Sequence, residues 1–234
     1  CQHRFTIKEG PYKGVTGEGP EWIAPALYGA FIGNTEWDKA LACFEKTNRY
    51  GIDASTFGLY LGWLMDIYDR GLLNKEATGG IDFNWGSAEA MTRLPELINK
   101  DEGLGKVISH GADEAVRRLG AETGEFLYRC GRGLTQEPVN DRILRATCLG
   151  DQTSNRGNDH LRGRCNLEFM GLPAELLSKI IGRPTNPDPY AWDTKAFFAI
   201  WQQNLNTMSD AMGLCKFWTQ WFAPDLFGYE QPLE

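Results

Sequence analysis

The sequence lacks a long hydrophobic run and an excess of positive charge. Its longest apolar stretches, residues 22–37 and 54–65, are too short or too polar to cross a lipid bilayer. The formal net charge is −7, and no basic stripe offers the phosphate contacts on which nucleic-acid binding depends. We therefore expect no membrane segment and no nucleic-acid partner.

The six cysteines include no Cys-x-x-Cys pair, and a chain of 234 residues can bury a core without disulfides. We therefore expect a reducing compartment, the cytoplasm. Four cysteines have no ligand-like spacing and are predicted to be packing residues, namely Cys43, Cys130, Cys148 and Cys165.

The chain also lacks an initiator methionine, and it begins at Cys1 without a charged and then apolar leader. We expect a processed chain or a fragment of a longer protein. Repeats and low-complexity segments are absent, and the composition is that of a globular protein.

Helical periodicity dominates what is present. The apolar spacing and the start and stop signals predict helices over about 21–31, 36–50, 53–70, 87–99, 106–119, 173–181 and 193–210. Residues 122–145 carry scattered Gly and Pro and fewer periodic positions, so we place a domain boundary there, between residues 1–125 and 126–234. The predicted fold class is mainly α, in two helical lobes.

Asp210 and Cys215 flank a glycine in the segment Asp-Ala-Met-Gly-Leu-Cys-Lys. A carboxylate and a thiol on either side of a tight bend can reach one bound group, the carboxylate accepting hydrogen bonds and the thiolate ligating a metal or an iron–sulfur cluster. The alternative is that Cys215 is a small buried hydrophobic residue.

A second polar segment, residues 153–163, carries two arginines, an aspartate and a histidine between glycines. Arg156 and Arg162 can hold anionic groups, and Asp159 can orient the imidazole of His160. This arrangement suits general acid/base chemistry near neutral pH. The alternative is a structural or solvent-exposed histidine.

Two acidic residues precede predicted helices. Asp53, in Gly-Ile-Asp-Ala-Ser-Thr-Phe-Gly, is predicted to be an N-cap. Glu21, in Gly-Pro-Glu-Trp, is predicted to be a first-turn charge that complements the helix dipole.

Taken in their order along the chain, the four segments resemble elements of the tungsten-containing aldehyde ferredoxin oxidoreductase family. The resemblance covers nearly the whole chain and is weakest between about residues 127 and 145. It implies domains 2 and 3 of that family, with the N-terminal pterin-binding domain missing and no activity expected without it.

The resemblance also implies the cofactors, a tungsten (or molybdenum) bis-pyranopterin and a [4Fe–4S] cluster. Asp53 and Asp210 would each bind one pterin system, and Cys1 and Cys215 would be cluster ligands. Cys1 lies where the third of three closely spaced family cysteines would be.

The remaining roles follow from the same resemblance. His160 would lie beside the tungsten and act as the acid/base group, with Glu21 as a second catalytic residue. Arg156 and Asp159 would support cofactor binding. The implied reaction oxidises a small aldehyde with water to a carboxylic acid and passes electrons to ferredoxin or another electron-transfer subunit. A second copy of the chain, in a homodimer, is a further candidate partner.

The sequence departs from the family pattern at two places. Ile23 replaces the second Glu of Gly-Pro-Glu-aromatic-Glu, and residues 128–141 differ from the usual Lys-Gly-x-Glu-then-Pro stretch. Ile23 supports an alternative, a related tungsten enzyme that reduces an aromatic acyl-CoA ring. A cofactor-free helical interaction module, with Asp53 only a cap and Cys215 only a core thiol, is the alternative from another class.

Overall fold

The computed structural model describes residues 3–129, 142–155, 160–168 and 170–216, except for the side chains of Ile23 and His160. These residues fall into two compact units, one ending at Arg129 and the other comprising the described residues from 142 onward. Helices predominate in both units, which confirms the predicted mainly α class.

The first unit opens with a small antiparallel hairpin and continues with helices. The strands are β1 (Arg4–Thr6) and β2 (Thr16–Glu18), with Arg4 opposite Glu18. The helices are α1 (Ile23–Leu27), α2 (Trp37–Tyr50), α3 (Ala54–Asp69), α4 (Ala88–Lys100), α5 (Gly103–Ile108) and α6 (Ala112–Leu119). Short 3₁₀ turns occur at Ala30–Ile32 and Ala121–Glu125.

Local signals explain where the longest helices of this unit begin and end. The Asp53 carboxylate accepts a hydrogen bond from the Thr56 backbone N–H at 2.7 Å, so the predicted N-cap of α3 is confirmed. Ser87 caps α4 in the same way. Helix α2 ends at Gly51, whose φ of 67° is a left-handed conformation that glycine adopts without strain.

Helix α3 is the centre of the apolar core of the first unit. Its residues from Phe57 to Met65 are all buried, and side chains from the other five helices pack into the same cluster. The buried Trp63 indole N–H donates to the Thr123 carbonyl at 2.9 Å. Gly105 of α5 touches α4 so closely that a Cβ there would overlap the backbone of Leu97.

The predicted lengths of two helices in the first unit were wrong. The helix predicted over 106–119 is two helices, because Gly111 between them has φ 92° and ψ 172°, which no helical residue adopts. The helix predicted over 21–31 is only α1 followed by a 3₁₀ turn, with Gly29 in a non-helical conformation between them.

The second unit contains α7 (Arg145–Thr153), α8 (His160–Gly163), a 3₁₀ turn (Asn166–Glu168), α9 (Ala174–Ile181) and α10 (Lys195–Ala211). The predictions for α9 and α10 are confirmed to within two residues. Helix α7 was not predicted. Its N-cap, Leu144, has no side-chain cap; the Glu168 carboxylate instead accepts hydrogen bonds from Ala146 N and Thr147 N, both at 2.9 Å.

Among the described residues of the second unit, the core combines an apolar cluster with buried polar groups. The apolar cluster consists of Ala146, Cys165, Leu167, Leu177, Ile180 and Phe198. Beside it, the fully buried Lys195 ammonium lies 3.5 Å from a Glu168 carboxylate oxygen and donates to the Asn186 carbonyl at 3.1 Å. In the parts of the chain that the structure describes, none of the helices is both long and apolar enough to cross a membrane.

Candidate cofactor-binding site

The candidate site lies at the carboxyl end of α10. Asp210 is the next-to-last residue of this helix, and the chain then turns at Gly213, whose φ is 67°. The Leu214 N–H donates back to the Ser209 carbonyl at 2.9 Å, which closes the turn. Cys215 follows on the surface and is exposed. The alternative that Cys215 is a buried packing residue is therefore wrong.

Two cations lie beside the Asp210 carboxylate. Lys216 Nζ is 3.0 Å from Asp210 Oδ2, and Arg162 Nε is 3.7 Å from the same oxygen. The Lys216 side chain is only 11% exposed and the Asp210 side chain 38%. These two ion pairs restrict the orientation of the carboxylate. Lys216 had been given no role from the sequence, although it directly follows Cys215.

Arg162 reaches Asp210 from α8, which packs closely on α7. Gly163 and Gly150 touch through their backbones, and a Cβ on either glycine would overlap the other residue. This contact fixes α8 against α7, and the Arg162 side chain of α8 reaches Asp210 at the carboxyl end of α10. The structure thereby joins two motifs, those of Arg162 and Asp210, that lie far apart in the sequence.

Asp53 and Glu21 lie in the first unit. Asp53 is exposed, and its cap bond orients the carboxylate at the start of α3. The Tyr28 hydroxyl donates to the carbonyl of Ala54, the residue after Asp53, at 3.1 Å. Burial raises the pKa of this tyrosine well above its usual value. Glu21 is exposed and precedes the N-cap Trp22, so its predicted place in the first helical turn was wrong.

Several predicted site residues lie outside the described part of the chain. Cys1, Arg156 and Asp159 are among them, and the backbone of His160 begins α8 while its side chain is not described. Because Asp53 and Cys1 belong to one unit and Asp210 and Cys215 to the other, the pairing of the two aspartates at one cleft and of the two cysteines at one cluster stays a prediction.

The cysteines of the described residues differ in accessibility. Cys43, Cys148 and Cys165 are buried, which confirms them as packing residues, and burial raises the pKa of the Cys43 and Cys165 thiols. Cys215 is exposed and can present a thiolate to a cluster. Within the described ranges, no group of three or more His, Cys, Asp or Glu side chains is gathered as a metal site.

The donors and acceptors around Asp210 fit a polar ligand such as a pterin. Arg162 Nε is buried, and no hydrogen-bond acceptor reaches it in the described structure. A buried N–H without an acceptor is costly, so a ligand oxygen or ring nitrogen bound here would relieve that cost. The Asp210 carboxylate offers the complementary acceptor for the N–H groups of the same ligand.

Fold, motif order and this site together correspond to one family. A sequence model of the family "Aldehyde ferredoxin oxidoreductase, domains 2 & 3" matches residues 1–231. The chain therefore belongs to the aldehyde ferredoxin oxidoreductase family, a family of oxidoreductases.

Two relatives illustrate the similarity. The chain is 30% identical, over 207 residues, to the tungsten-containing aldehyde ferredoxin oxidoreductase of Pyrococcus abyssi, an alignment that covers 86% of this chain and 32% of the relative. It is 31% identical, over 119 residues, to the aliphatic sulfonate oxidoreductase, WOR-like subunit, of Pyrococcus furiosus, which covers 51% of this chain and 19% of the relative. The chain spans about a third of the length of its tungsten-containing relatives.

A solved structure shares the fold. The active-site complex BamBC of benzoyl-coenzyme A reductase, in complex with 1,5-dienoyl-CoA, matches with a TM-score of 0.62. The match covers 91% of this chain and 35% of that chain, at 18% sequence identity. At this identity the similarity shows the fold alone.

Proposed function

We propose that this chain supplies two cofactor-binding units of a tungsten (or molybdenum) bis-pyranopterin, iron–sulfur oxidoreductase. The enzyme oxidises a small aldehyde with water to a carboxylic acid, releasing two protons and two electrons, and passes the electrons to ferredoxin or another electron-transfer subunit. One observation carries the proposal: Arg162 and Lys216 both contact the Asp210 carboxylate, five positions before the exposed Cys215, in a chain of this family.

In this proposal each aspartate accepts hydrogen bonds from one pterin. Lys216 and Arg162 hold the Asp210 carboxylate in one orientation, so little conformational entropy is lost when the carboxylate binds the ligand. Asp53 is oriented by its bond to the Thr56 N–H, so a residue that caps α3 can also bind a pterin.

The proposed cofactors supply the two-electron oxidation and the exit of single electrons. Cys215 provides a thiolate from an exposed turn, with Cys1 as a second ligand. His160 donates a proton at the substrate carbonyl oxygen, where negative charge develops, and Glu21 serves as a further proton-transfer group. Arg156 and Asp159 set the environment of the imidazole. An N-terminal pterin-binding domain completes the enzyme.

The test is the cofactor content of the full protein purified from its native host. We expect tungsten or molybdenum, pterin and about four irons per polypeptide, as one [4Fe–4S] cluster requires. Asp210→Asn should lower pterin and metal content. Asp69→Asn is the matched control, because Asp69 is an exposed carboxylate in the last turn of another long helix. A wild-type protein with neither metal nor pterin would support a cofactor-free helical module instead.

A second candidate keeps the cofactors and changes the substrate, as in an enzyme that reduces an aromatic acyl-CoA ring. The observation that favours it is Ile23, an apolar residue at the position where aldehyde-oxidising members tend to carry a second glutamate. Assaying the purified enzyme with a panel of aldehydes and with aromatic acyl-CoA thioesters under reducing conditions separates the two candidates.

A further inference from the structure

Three side chains of α10 lie one helical turn apart on the face towards α8. They are Gln202, Asn206 and Asp210, each four positions from the next, and residues at this spacing share one side of a helix. Gln202 and Asn206 are buried, at 1% and 0% exposure, while Asp210 is at the exposed end of the row. The row therefore runs from the interior of the second unit to the candidate site.

The two buried amides form a short hydrogen-bond chain. Gln202 Nε2 donates to Asn206 Oδ1 at 3.1 Å, and Asn206 Nδ2 donates to the backbone carbonyl of Arg162 at 3.1 Å. The first bond orients the Asn206 amide, because it determines which atom of that amide faces Gln202 and which faces α8. The second bond attaches α8 to α10 at one specific residue.

Arg162 also contacts Asp210, the next member of the row, through its side chain. Arg162 accepts from Asn206 through its carbonyl and places its guanidinium Nε 3.7 Å from Asp210 Oδ2. Helix α8 has four residues, so it makes too few helical hydrogen bonds to hold its own geometry. The position of Arg162 thus depends on contacts with α7 and α10, and the Asn206 bond is one of these contacts.

We propose that Asn206 and Gln202 are positioning residues for the cofactor-binding carboxylate. They hold the backbone of Arg162 where its guanidinium reaches Asp210, and they act on the bound pterin through Arg162. This inference rests on the proposed function, since it takes Asp210 to be a pterin acceptor. It explains why two amides are buried in a helix whose neighbours, Ala199 and Leu205, are apolar core residues.

The experiment measures the pterin retained per polypeptide after prolonged dialysis of the purified holoenzyme. Asn206→Leu removes the bonds to Gln202 and Arg162 while keeping the number of side-chain heavy atoms, and Arg162→Met removes the guanidinium. Asn204→Leu is the control, because Asn204 is an exposed asparagine on the same helix. We expect Asn206→Leu to weaken pterin retention roughly tenfold, as Arg162→Met does, and Asn204→Leu to leave it unchanged.

The double variant distinguishes positioning from general stability. If Asn206 acts through Arg162, adding Asn206→Leu to Arg162→Met causes no further loss of pterin. Additive losses, or an equal loss of iron and pterin, would overturn the inference. Should Asn206→Leu fail to fold, Asn206→Asp replaces it, because the aspartate still accepts from Gln202 but cannot donate to Arg162.

The proposed function and this inference fail in different ways. A pterin-free wild-type enzyme would overturn both. A pterin-loaded wild type whose Asn206 variants retain pterin normally would overturn the inference and leave the proposed function standing.

Discussion

The cores of the two units differ in the kind of interaction that each contains. In the first, an apolar cluster receives side chains from all six helices, with α3 at its centre. Among the described residues of the second, the apolar cluster has fewer members, and Glu168, Lys195, Gln202 and Asn206 are buried beside it. Apolar burial is nondirectional, whereas a buried polar group requires a particular partner in a particular geometry. The second unit therefore specifies individual backbone positions, including those of α7 and α8.

This difference matters for the candidate site. Asp53 in the first unit is oriented by a local cap, which needs only its own helix. Asp210 in the second unit is flanked by Arg162, which belongs to a separate short helix and depends on tertiary contacts. We expect the first unit to lose stability through cavities and the second to lose it through uncompensated polar groups.

The largest effect is expected from Lys195→Met. It leaves the buried Glu168 carboxylate without its cation, and breaking a buried pair costs about 3–5 kcal/mol in the free energy of unfolding. Because the Ala146 and Thr147 N–H groups still donate to Glu168, we expect a cost near the lower end of this range. Chemical denaturation followed by a probe in the second unit measures the change.

Lys75→Met is the matched control for Lys195→Met. Lys75 forms an exposed pair with Asp82 in the first unit, at 2.7 Å, and its loss should cost less than about 1 kcal/mol. Adding Glu168→Gln to Lys195→Met should recover part of the lost stability. Equal costs for the two lysines would contradict the distinction between the units.

Leu64→Ala tests the apolar core of the first unit. Leu64 is fully buried in α3, so the substitution removes packed methyl groups and leaves a cavity, at a cost of about 2–5 kcal/mol. Denaturant unfolding monitored by the fluorescence of the nearby Trp63 measures it. The control is Leu161→Ala, at a leucine 37% exposed in the second unit, where the cost should be far smaller.

Two substitutions at Asp53 distinguish its role as a helix cap from its proposed role in cofactor binding. Asp53→Ala removes the hydrogen bond to the Thr56 N–H and should cost about 1 kcal/mol of stability. Asp53→Asn keeps a good cap but loses the charge, so stability should stay close to the wild-type value while the pterin content falls. Normal pterin content in both variants would reduce Asp53 to a cap.

The smallest effect concerns two of the buried thiols, Cys43 in the first unit and Cys165 in the second. Burial raises the pKa of Cys43 and Cys165 above the ordinary value of 9.0, so the folded state keeps protons that the unfolded state releases. Their contribution is therefore fully present below about pH 9 and is lost as pH rises above it, by at most about 1.4 kcal/mol per pH unit for each thiol. Unfolding measured from pH 8 to pH 10 should show this slope, and Cys43→Ala should reduce it. A slope unaffected by the substitution would remove Cys43 from this effect.

Local patterns predicted much of the first unit correctly. The apolar periodicity and the caps of α2, α3 and α4 lie within a few neighbouring residues, so the sequence shows them directly. The break at Gly111 was missed because the apolar spacing continues across it, although a glycine at that point was a visible signal. Glu21 was assigned to a helical turn that begins after it.

The second unit was harder to predict because its defining contacts span long stretches of sequence. Helix α7 begins where Glu168, more than twenty positions later, binds its first N–H groups, and no local residue of α7 indicates this. The sequence indicated the segment around Arg162 and the segment around Asp210 as separate motifs. The hydrogen bond from Asn206 to Arg162 was not foreseen, because a buried asparagine in a helix has no sequence pattern of its own.

By itself, the sequence determined the mainly α class, most of the helices, the cap at Asp53 and the family to which the chain belongs. These depend on periodicity, capping and motif order, which are local or additive along the chain. Only the tertiary structure decided that Arg162 meets Asp210, that Cys215 is exposed, and that Glu168 and Lys195 share a buried pair. Charge pairing and burial depend on distances between residues remote in sequence, and those distances exist only once the helices have packed.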